Sequence, residues 1–294
     1  MTKILITGKG SYIGTSLENW LDREPNNYQV ETIDMRDEGW KLIDFSIYDV
    51  VFHVAGIAHV STDPKMKELY YKVNRDLTIE VAKKAKQSGV KQFIFMSSII
   101  VYGNKVTKNI ITADTLPQPS NFYGDSKLQA ERGIELLGSD DFKIAVIRPP
   151  MIYGKKSKGN YPRLAKLAQK IPFFPDYPNR RSMLHIDNLS QFIKIIIDNK
   201  DAGLYFPQNR EYVKTSDLVC TIARVHNKKI VLTSLFNPII KLLVKGDFFN
   251  KIFGDLVYEQ RLSKYENADY QVRTFAESIE LTESEYMSHE SSFS

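Results

Sequence analysis

A chain of 294 residues, 43% of them apolar, is long enough to bury a large core as one domain with a smaller appendage. Forty basic against 35 acidic residues leave a net charge of +5, which suits an anionic small molecule and supplies no stripe for nucleic acid. One cysteine, Cys220, excludes internal disulfides and fits a reducing cytoplasm. The chain is expected to lack a signal peptide, because a strand begins at Lys3, and to lack a membrane span, because no apolar run approaches the ~20 residues required.

The first apolar run, residues 3–7, is β-branched and too short for a helix, which predicts a buried parallel strand. It leads into Gly8, Lys9, Gly10, Ser11, Tyr12, Ile13 and Gly14, and Leu17, Trp20 and Leu21 then give a helical pattern over 12–22. Strand, glycine turn and helix form a setting in which backbone amides cradle a pyrophosphate at a helix N-terminus. Gly8, Gly10, Ser11, Tyr12, Ile13 and Gly14 are therefore assigned to dinucleotide binding. The next strand, 29–34, ends on Asp34, twenty residues beyond Gly14. A carboxylate there accepts hydrogen bonds from both adenosine-ribose hydroxyls of NAD and repels a 2′-phosphate. Arg36 pulls the other way, so NAD(H) is favoured and NADP(H) stays open.

A strand at 50–54 carries His53, read as structural rather than as a base. A long helix is predicted over 64–87, then a buried strand over 91–97 that runs into Ser97 and Ser98. Ligands of open parallel sheets bind at the carboxyl ends of strands, which puts Ser98 on the same edge as the glycine turn. Its hydroxyl can donate to a substrate carbonyl oxygen. The helix over 121–138 then presents Tyr123 and Lys127 at i, i+4, on one face. An ammonium beside a phenol favours the phenolate, so Lys127 is expected to lower the Tyr123 pKa from about 10 towards the working pH. Ser98, Tyr123 and Lys127 together make a proton-transfer set. With a fifth strand at 143–148, the βα rhythm predicts an α/β fold with a doubly wound parallel sheet.

Residues 1–150 thus read as a dinucleotide-binding domain that also carries the catalytic residues. From 151 the pattern shifts to loops rich in proline (Pro162, Pro172, Pro175, Pro178) and shorter elements, a smaller substrate-binding cap over 151–281 with part of its chain returning to the sheet. The polar residues 282–294 are expected to form a frayed tail. Lys155, Lys156 and Lys158 read as a solvated loop and His185 as a satisfied core histidine. The apolar, basic segment 238–253 reads as a packed cap helix, with contact to a membrane surface as the other use. No cluster of His, Cys and acids has metal-ligand spacing, and no internal repeat is present.

With these motifs in place, the chain resembles the extended short-chain dehydrogenase/reductases that act on nucleotide sugars. The resemblance runs from Thr7 to about Phe206, with weaker echoes to residue 280. It includes Asp44-Phe45, His53-Val54-Ala55-Gly56, Asn74, Arg148-Pro149-Pro150, and Arg181 four residues before His185. It implies a Rossmann-type fold in which Asp44 and Phe45 meet the adenine, Ala55 and Gly56 line the cofactor, and Lys127 also holds the nicotinamide ribose. Gly159-Asn160 and Asn179-Arg180-Arg181-Ser182 resemble the subgroup making UDP-N-acetyl-6-deoxyhexosamines for capsule and O-antigen. That implies a UDP-linked amino sugar as partner, with Arg181 on its diphosphate and Asn160 in its nucleotide pocket. A homodimer is compatible with the resemblance.

Two positions depart from the family pattern. The middle glycine of the turn comes one place early, at Gly10, with Ser11 behind it, and Met151 stands where many relatives carry asparagine. Relatives that eliminate water place an acid pair directly after the active-site hydroxyl residue. Here Ile99 and Ile100 occupy those places and transfer no proton. Oxidation–reduction at a single carbon is left. The subgroup favours reduction of the C4 ketone of a UDP-2-acetamido-2,6-dideoxy-4-hexulose, and 4-epimerisation with tightly held NAD is the alternative. A non-catalytic NAD-sensing regulator is a third reading, against which the intact Ser98, Tyr123 and Lys127 set argues.

Overall fold

In β1 (Thr2–Thr7), Ile4 and Ile6 point to one side of a sheet and Leu5 to the other, and all three are fully buried. A strand buried on both faces needs helices on both, and the rest of the chain supplies them. The computed structural model describes residues 1–58, 63–103, 110–244, 246–266 and 268–284. Among the described residues six parallel strands form the central sheet. They are β1, β2 (Tyr28–Ile33), β3 (Val50–His53), β4 (Gln92–Met96), β5 (Lys143–Ile147) and β6 (Gly203–Tyr205). Their order is β6-β5-β4-β3-β1-β2. The chain steps outward from β1 to β2, then returns to the other side of β1 for β3. That reversal opens a crevice at the carboxyl ends of β1 and β3, where this class of sheet holds ligands.

One face is covered by α1 (Tyr12–Leu21), which packs Leu17 and Leu21 with Ile4, Ile6, Phe52 and Ile94. The other is covered by α2 (Leu77–Gln87) and α3 (Phe122–Glu135), which set Val81, Ala85, Ala130 and Ile134 against Leu5, Val51, Phe93 and Phe95. The helix expected over 64–87 is interrupted. A 3-10 turn (Pro64–Met66), one α turn (Lys67–Tyr70) and a π-helical stretch (Tyr71–Asp76) precede α2. The helix expected through 138 stops at Glu135.

The cap contains α4 (Asn160–Ala168), which packs with a later helix of the cap around Tyr161, Leu164, Leu218 and Ile222. Two elements beyond residue 150 belong to the sheet layer instead. α5 (Ile186–Asn199) packs Leu189, Phe192 and Ile196 into the α1 side of the core, and β6 pairs with β5. The cap helix against α4 is α6 (Thr215–Val225), and the short α7 (Asn237–Leu243) and α8 (Asp247–Phe253) follow it. The last helix, α9 (Phe275–Glu283), runs two residues past the expected start of the tail. Thr282 and Glu283 are buried, and Glu283 accepts from the Tyr161 hydroxyl at 2.8 Å and pairs with His226 at 2.7 Å. The tail from 285 lies outside the described residues. No helix among the described residues is long and apolar enough to cross a membrane.

Because α1 carries the glycine turn at its N-terminus, its packing places that turn. Leu17→Ala is expected to destabilise the fold by about 2–5 kcal/mol, since a fully buried leucine leaves a cavity. Urea denaturation checks this, and a loss below about 1 kcal/mol would show that the helix is held from elsewhere.

Candidate active site

The glycine turn is shaped by two positive φ angles. Gly8 has φ +99°, and a Cβ there would lie 3.1 Å from the backbone of Ala55. Gly10 has φ +73° with nothing within 4 Å of a Cβ, so the turn faces open space there. Ser11 has φ −69° and extended backbone, a conformation that needs no glycine. This accounts for the shifted glycine: the left-handed residue is at 10, while 11 serves as N-cap and its hydroxyl accepts from the Gly14 amide at 3.2 Å. A Cβ on Gly14 would lie 2.6 Å from that hydroxyl. The first-turn amides of α1, from Tyr12 and Ile13, have no partner within the helix and are available to an anion. The Tyr12 hydroxyl is buried beside Gly154, so this residue offers the turn its backbone and not its phenol.

Asp34 follows β2 at the same edge. Arg36 binds it bidentately, with Nε 2.9 Å from each carboxylate oxygen, and this contact holds the acid down at about 2. The cation that argues for a 2′-phosphate therefore sits on the acid that argues against one. Asp44 is exposed and accepts from the Ser46 amide at 2.9 Å. Phe45 is buried against Trp40, which leaves its backbone and not its ring for an adenine.

Ser98 caps a 3-10 turn, Ile99–Tyr102, by accepting from the Ile100 amide at 3.3 Å. Asn121 caps α3, and Gly124 lets that helix lie against the turn: a Cβ there would stand 2.7 Å from the Ile100 carbonyl oxygen. This close approach brings Tyr123 near Ser98, whose hydroxyl acts to lower the phenol's pKa. Lys127, one turn on, is buried. Its ammonium donates to the Met96 carbonyl at 2.9 Å and lies 4.7 Å from the centre of the Phe95 ring. A Cβ on Gly56 would come within 3.2 Å of that ammonium. Ser98, Tyr123 and Lys127 are thus brought together beside Ala55 and Gly56, at the carboxyl ends of β3 and β4.

The expected lowering of the Tyr123 pKa is not what this geometry produces. Burial pushes the phenol up to about 12, the Ser98 hydrogen bond opposing it. Burial brings Lys127 down to about 8, with Glu131 opposing. The reason is direction: the lysine spends its proton on a backbone carbonyl, so desolvation outweighs any field it exerts on the phenol.

Several residues support this site: Asn74 and Arg148, which the resemblance names without a role, and Glu131, which it does not name. Asn74, in the π-helical stretch, accepts from the Ile57 amide at 2.8 Å and donates to its carbonyl and to the Ser126 hydroxyl, both at 3.2 Å. It fastens the loop after β3 to α3. Glu131 and Arg148 form a buried bidentate pair, with Nη2 at 2.5 Å and Nε at 3.1 and 3.2 Å. Ser97 also donates to Glu131, and Arg148 donates to the Tyr102 hydroxyl at 2.7 Å. His53 is structural, as expected. The Thr78 hydroxyl donates to the Asn74 carbonyl, so His53 donates to Thr78 through Nε2 and accepts from Thr7 at Nδ1. Burial holds it neutral, down at about 3. His185 is a buried core histidine packed edge-on against Tyr153.

In the cap, Asn160 and Arg181 line one crevice with Met151, Thr215 and Ile252. Arg181 donates from Nη1 to the carbonyls of Gly254 at 2.9 Å and Asn250 at 3.2 Å. Among the described residues it has no salt-bridge partner, and burial lowers its pKa. A largely desolvated guanidinium held by carbonyls is suited to an anion. Among the described residues no group of His, Cys, Asp and Glu could hold a metal ion.

Comparison with known proteins bears on the family and the fold. The model of the NAD dependent epimerase/dehydratase family matches residues 4–213. A UDP-glucose 4-epimerase of Vibrio cholerae is 30% identical over 285 residues, covering 86% of each chain. A dTDP-4-dehydrorhamnose reductase of Clostridium acetobutylicum superposes with a TM-score of 0.76 at 18% identity, over 97% of this chain and 100% of its own. A UDP-glucuronic acid 4-epimerase of Bacillus cereus, solved with NAD, gives a TM-score of 0.73 at 19% identity, over 96% of each chain. At such identities the structural likeness is one of fold.

Lys127 provides a test of its own burial. Its folded pKa of about 8 lies below the 10.5 of a free lysine, so the unfolded chain binds more protons between those values. Stability owed to this group therefore rises as the pH goes from about 8 towards 10.5. Measured by urea denaturation, the protein should gain on a Lys127→Met variant across that window, and a constant difference would mean that the ammonium stays hydrated.

Proposed function

This chain belongs to the family of NAD-dependent epimerases and dehydratases, and on that footing we propose that it reduces the C4 ketone of a UDP-2-acetamido-2,6-dideoxy-4-hexulose. The product is a UDP-N-acetyl-6-deoxyhexosamine of the kind that enters capsule or O-antigen polysaccharide. The observation that carries this reading is the grouping of Ser98, Tyr123 and Lys127 at the carboxyl ends of β3 and β4, where a hydroxyl and a phenol can serve a carbonyl oxygen. The resemblance of Gly159-Asn160 and Asn179-Arg180-Arg181-Ser182 to the 6-deoxyhexosamine subgroup favours reduction over epimerisation. Ile99 and Ile100 supply no acid pair for dehydration.

The residues present fit a dinucleotide. Open space over Gly10, the amides of Tyr12 and Ile13, and the Ser11 cap suit a pyrophosphate, with Gly8 and Gly14 holding the turn in shape. Asp34 and Arg36 would meet the adenosine ribose, the backbone near Asp44 and Phe45 the adenine, and Ala55, Gly56, Tyr123 and Lys127 the nicotinamide half. Bound there, NAD(H), or NADP(H) in its place, supplies the hydride. Ser98 donates a hydrogen bond to the C4 oxygen and orients it. Tyr123 gives that oxygen its proton as negative charge develops on it. Lys127, held on the Met96 carbonyl, keeps its place beside Gly56 for the nicotinamide ribose. In the cap, Arg181 grips the UDP diphosphate and Asn160 contacts the nucleotide, leaving Met151 as an apolar wall.

A 4-epimerase is the second reading, favoured by the activity of the Vibrio cholerae relative. Incubation with the keto sugar and NADH separates the two. Stoichiometric NADH oxidation with formation of the 6-deoxyhexosamine supports the reductase. Interconversion of UDP-N-acetylglucosamine and its C4 epimer without added cofactor would replace it with the epimerase.

Tyr123→Phe is expected to reduce turnover at least ~100-fold while leaving the melting temperature and cofactor binding in place, and near-normal turnover would remove Tyr123 from the mechanism. Arg181→Ala should raise KM for the UDP-sugar by roughly 10- to 150-fold with little change in kcat, because the contact grips ground and transition states alike. An unaltered KM would place the diphosphate elsewhere.

A further inference from the structure

The segment from Val231 to Leu243 leaves an apolar face uncovered. Val231 pairs in register with Phe173, and the two side chains, 57% and 60% exposed, stand on one side of a two-stranded ribbon. α7 is tied to this ribbon by the Asn237 side chain, which donates to the Asp176 carbonyl at 3.0 Å. Along the α7 segment, Leu235, Ile239, Leu242 and Leu243 recur at helical spacing and are 39–76% exposed, while Ile240 faces the cap core. The segment read as a packed cap helix therefore packs along one face only. Its other face continues the ribbon's apolar side.

The stretches that build the ribbon and α7 carry only positive charge, bordered in the sequence by Asp141, Asp176, Asp217 and Asp247. Lys170 lies three residues before Phe173, Lys228 and Lys229 lie three and two before Val231, and Lys241 is on α7; all four are exposed. The stretches 142–175 and 218–246, which build the ribbon and α7, contain no aspartate or glutamate. Asp176, next along the chain, is paired with Lys214 at 2.5 Å. A second copy of this chain is a poor occupant, because a two-fold contact would set lysines against lysines. An anionic lipid surface satisfies both features: apolar side chains enter the headgroup boundary and lysines reach the phosphates.

We propose that this face of the cap docks on a bilayer rich in anionic lipid. The crevice lined by Asn160 and Arg181 then lies behind this face, since α7 packs on α8, which contributes Ile252 to that crevice and the Asn250 carbonyl to Arg181. The face and the catalytic centre are separate, so the proposal stands independently of the reaction assigned above.

Co-sedimentation of the full chain with vesicles tests it. Binding is expected to vesicles of phosphatidylglycerol and phosphatidylcholine in equal parts, not to phosphatidylcholine alone, and should weaken as salt rises from about 0.05 to 0.5 M. Leu235→Ser/Ile239→Ser/Leu242→Ser should lower the partition at least about tenfold. Lys228→Glu/Lys229→Glu/Lys241→Glu should lower it about a hundredfold, near fivefold per charge. Should the serine set fail to fold, the glutamate set decides, since those side chains are exposed and its melting temperature should match the parent. No binding to the anionic vesicles at low salt, or equal binding by the glutamate set, would overturn the proposal. Self-association that the serine set abolishes would overturn it too, by giving the face to a second copy.

Discussion

The buried ammonium of Lys127 is the constraint on which the site depends. A cation in the interior is tolerated only when its donors are satisfied and a counter-charge is near. The Met96 carbonyl meets the first need and Glu131, one helical turn on, contributes to the second. Glu131 is itself neutralised by Arg148, whose remaining donor capacity goes to Tyr102, and the Tyr258 hydroxyl donates to the Arg148 carbonyl at 2.8 Å. The chain of contacts runs from α3 through β4 and the end of β5 to the later cap segment. Removing one member of the Glu131–Arg148 pair strands a buried charge, a loss typically of about 3–5 kcal/mol. Lys127 and the helix it shares with Tyr123 are therefore held by a network much larger than themselves.

Close backbone approaches decide where that network can form. Gly124 lets α3 touch the turn after β4, Gly56 makes room for the lysine, and Gly8 lets the nucleotide turn rest on Ala55. Each juxtaposes two segments distant in the chain. Together they gather the ends of β1, β3 and β4 at the point where the strand order reverses, and Ser98, Tyr123 and Lys127 follow.

Much of this was readable in the sequence because it is periodic or local. The first five sheet strands and the helices after β1 and before β5 follow from apolar patterning, and Ser98, Tyr123 and Lys127 from their place at strand and helix ends. The capping role of Ser11 was readable too. What was missed depends on tertiary placement. Glu131 looks like a surface residue of a helix until Arg148 arrives just after β5, and Asn74, named by the resemblance without a role, gains one from the backbone of Ile57. The direction of the Tyr123 shift was misjudged because spacing on a helix tells which face a lysine shares and not where its ammonium points. The π-helical stretch, and the exposed side of α7 in a segment read as packed, follow from packing alone.

Arg181 and Asn160 line a crevice of the cap, apart from Ser98, Tyr123 and Lys127 at the edge of the sheet. The central claim is that hydride passes between the nicotinamide and C4 of the sugar while Tyr123 protonates the oxygen. Its most direct test is turnover of UDP-2-acetamido-2,6-dideoxy-4-hexulose with NADH carrying deuterium at the nicotinamide C4, followed by NMR of the product. Deuterium bonded to sugar C4 in a UDP-N-acetyl-6-deoxyhexosamine is the expected result. A turned-over sugar with no deuterium, or with deuterium at another carbon, would contradict it.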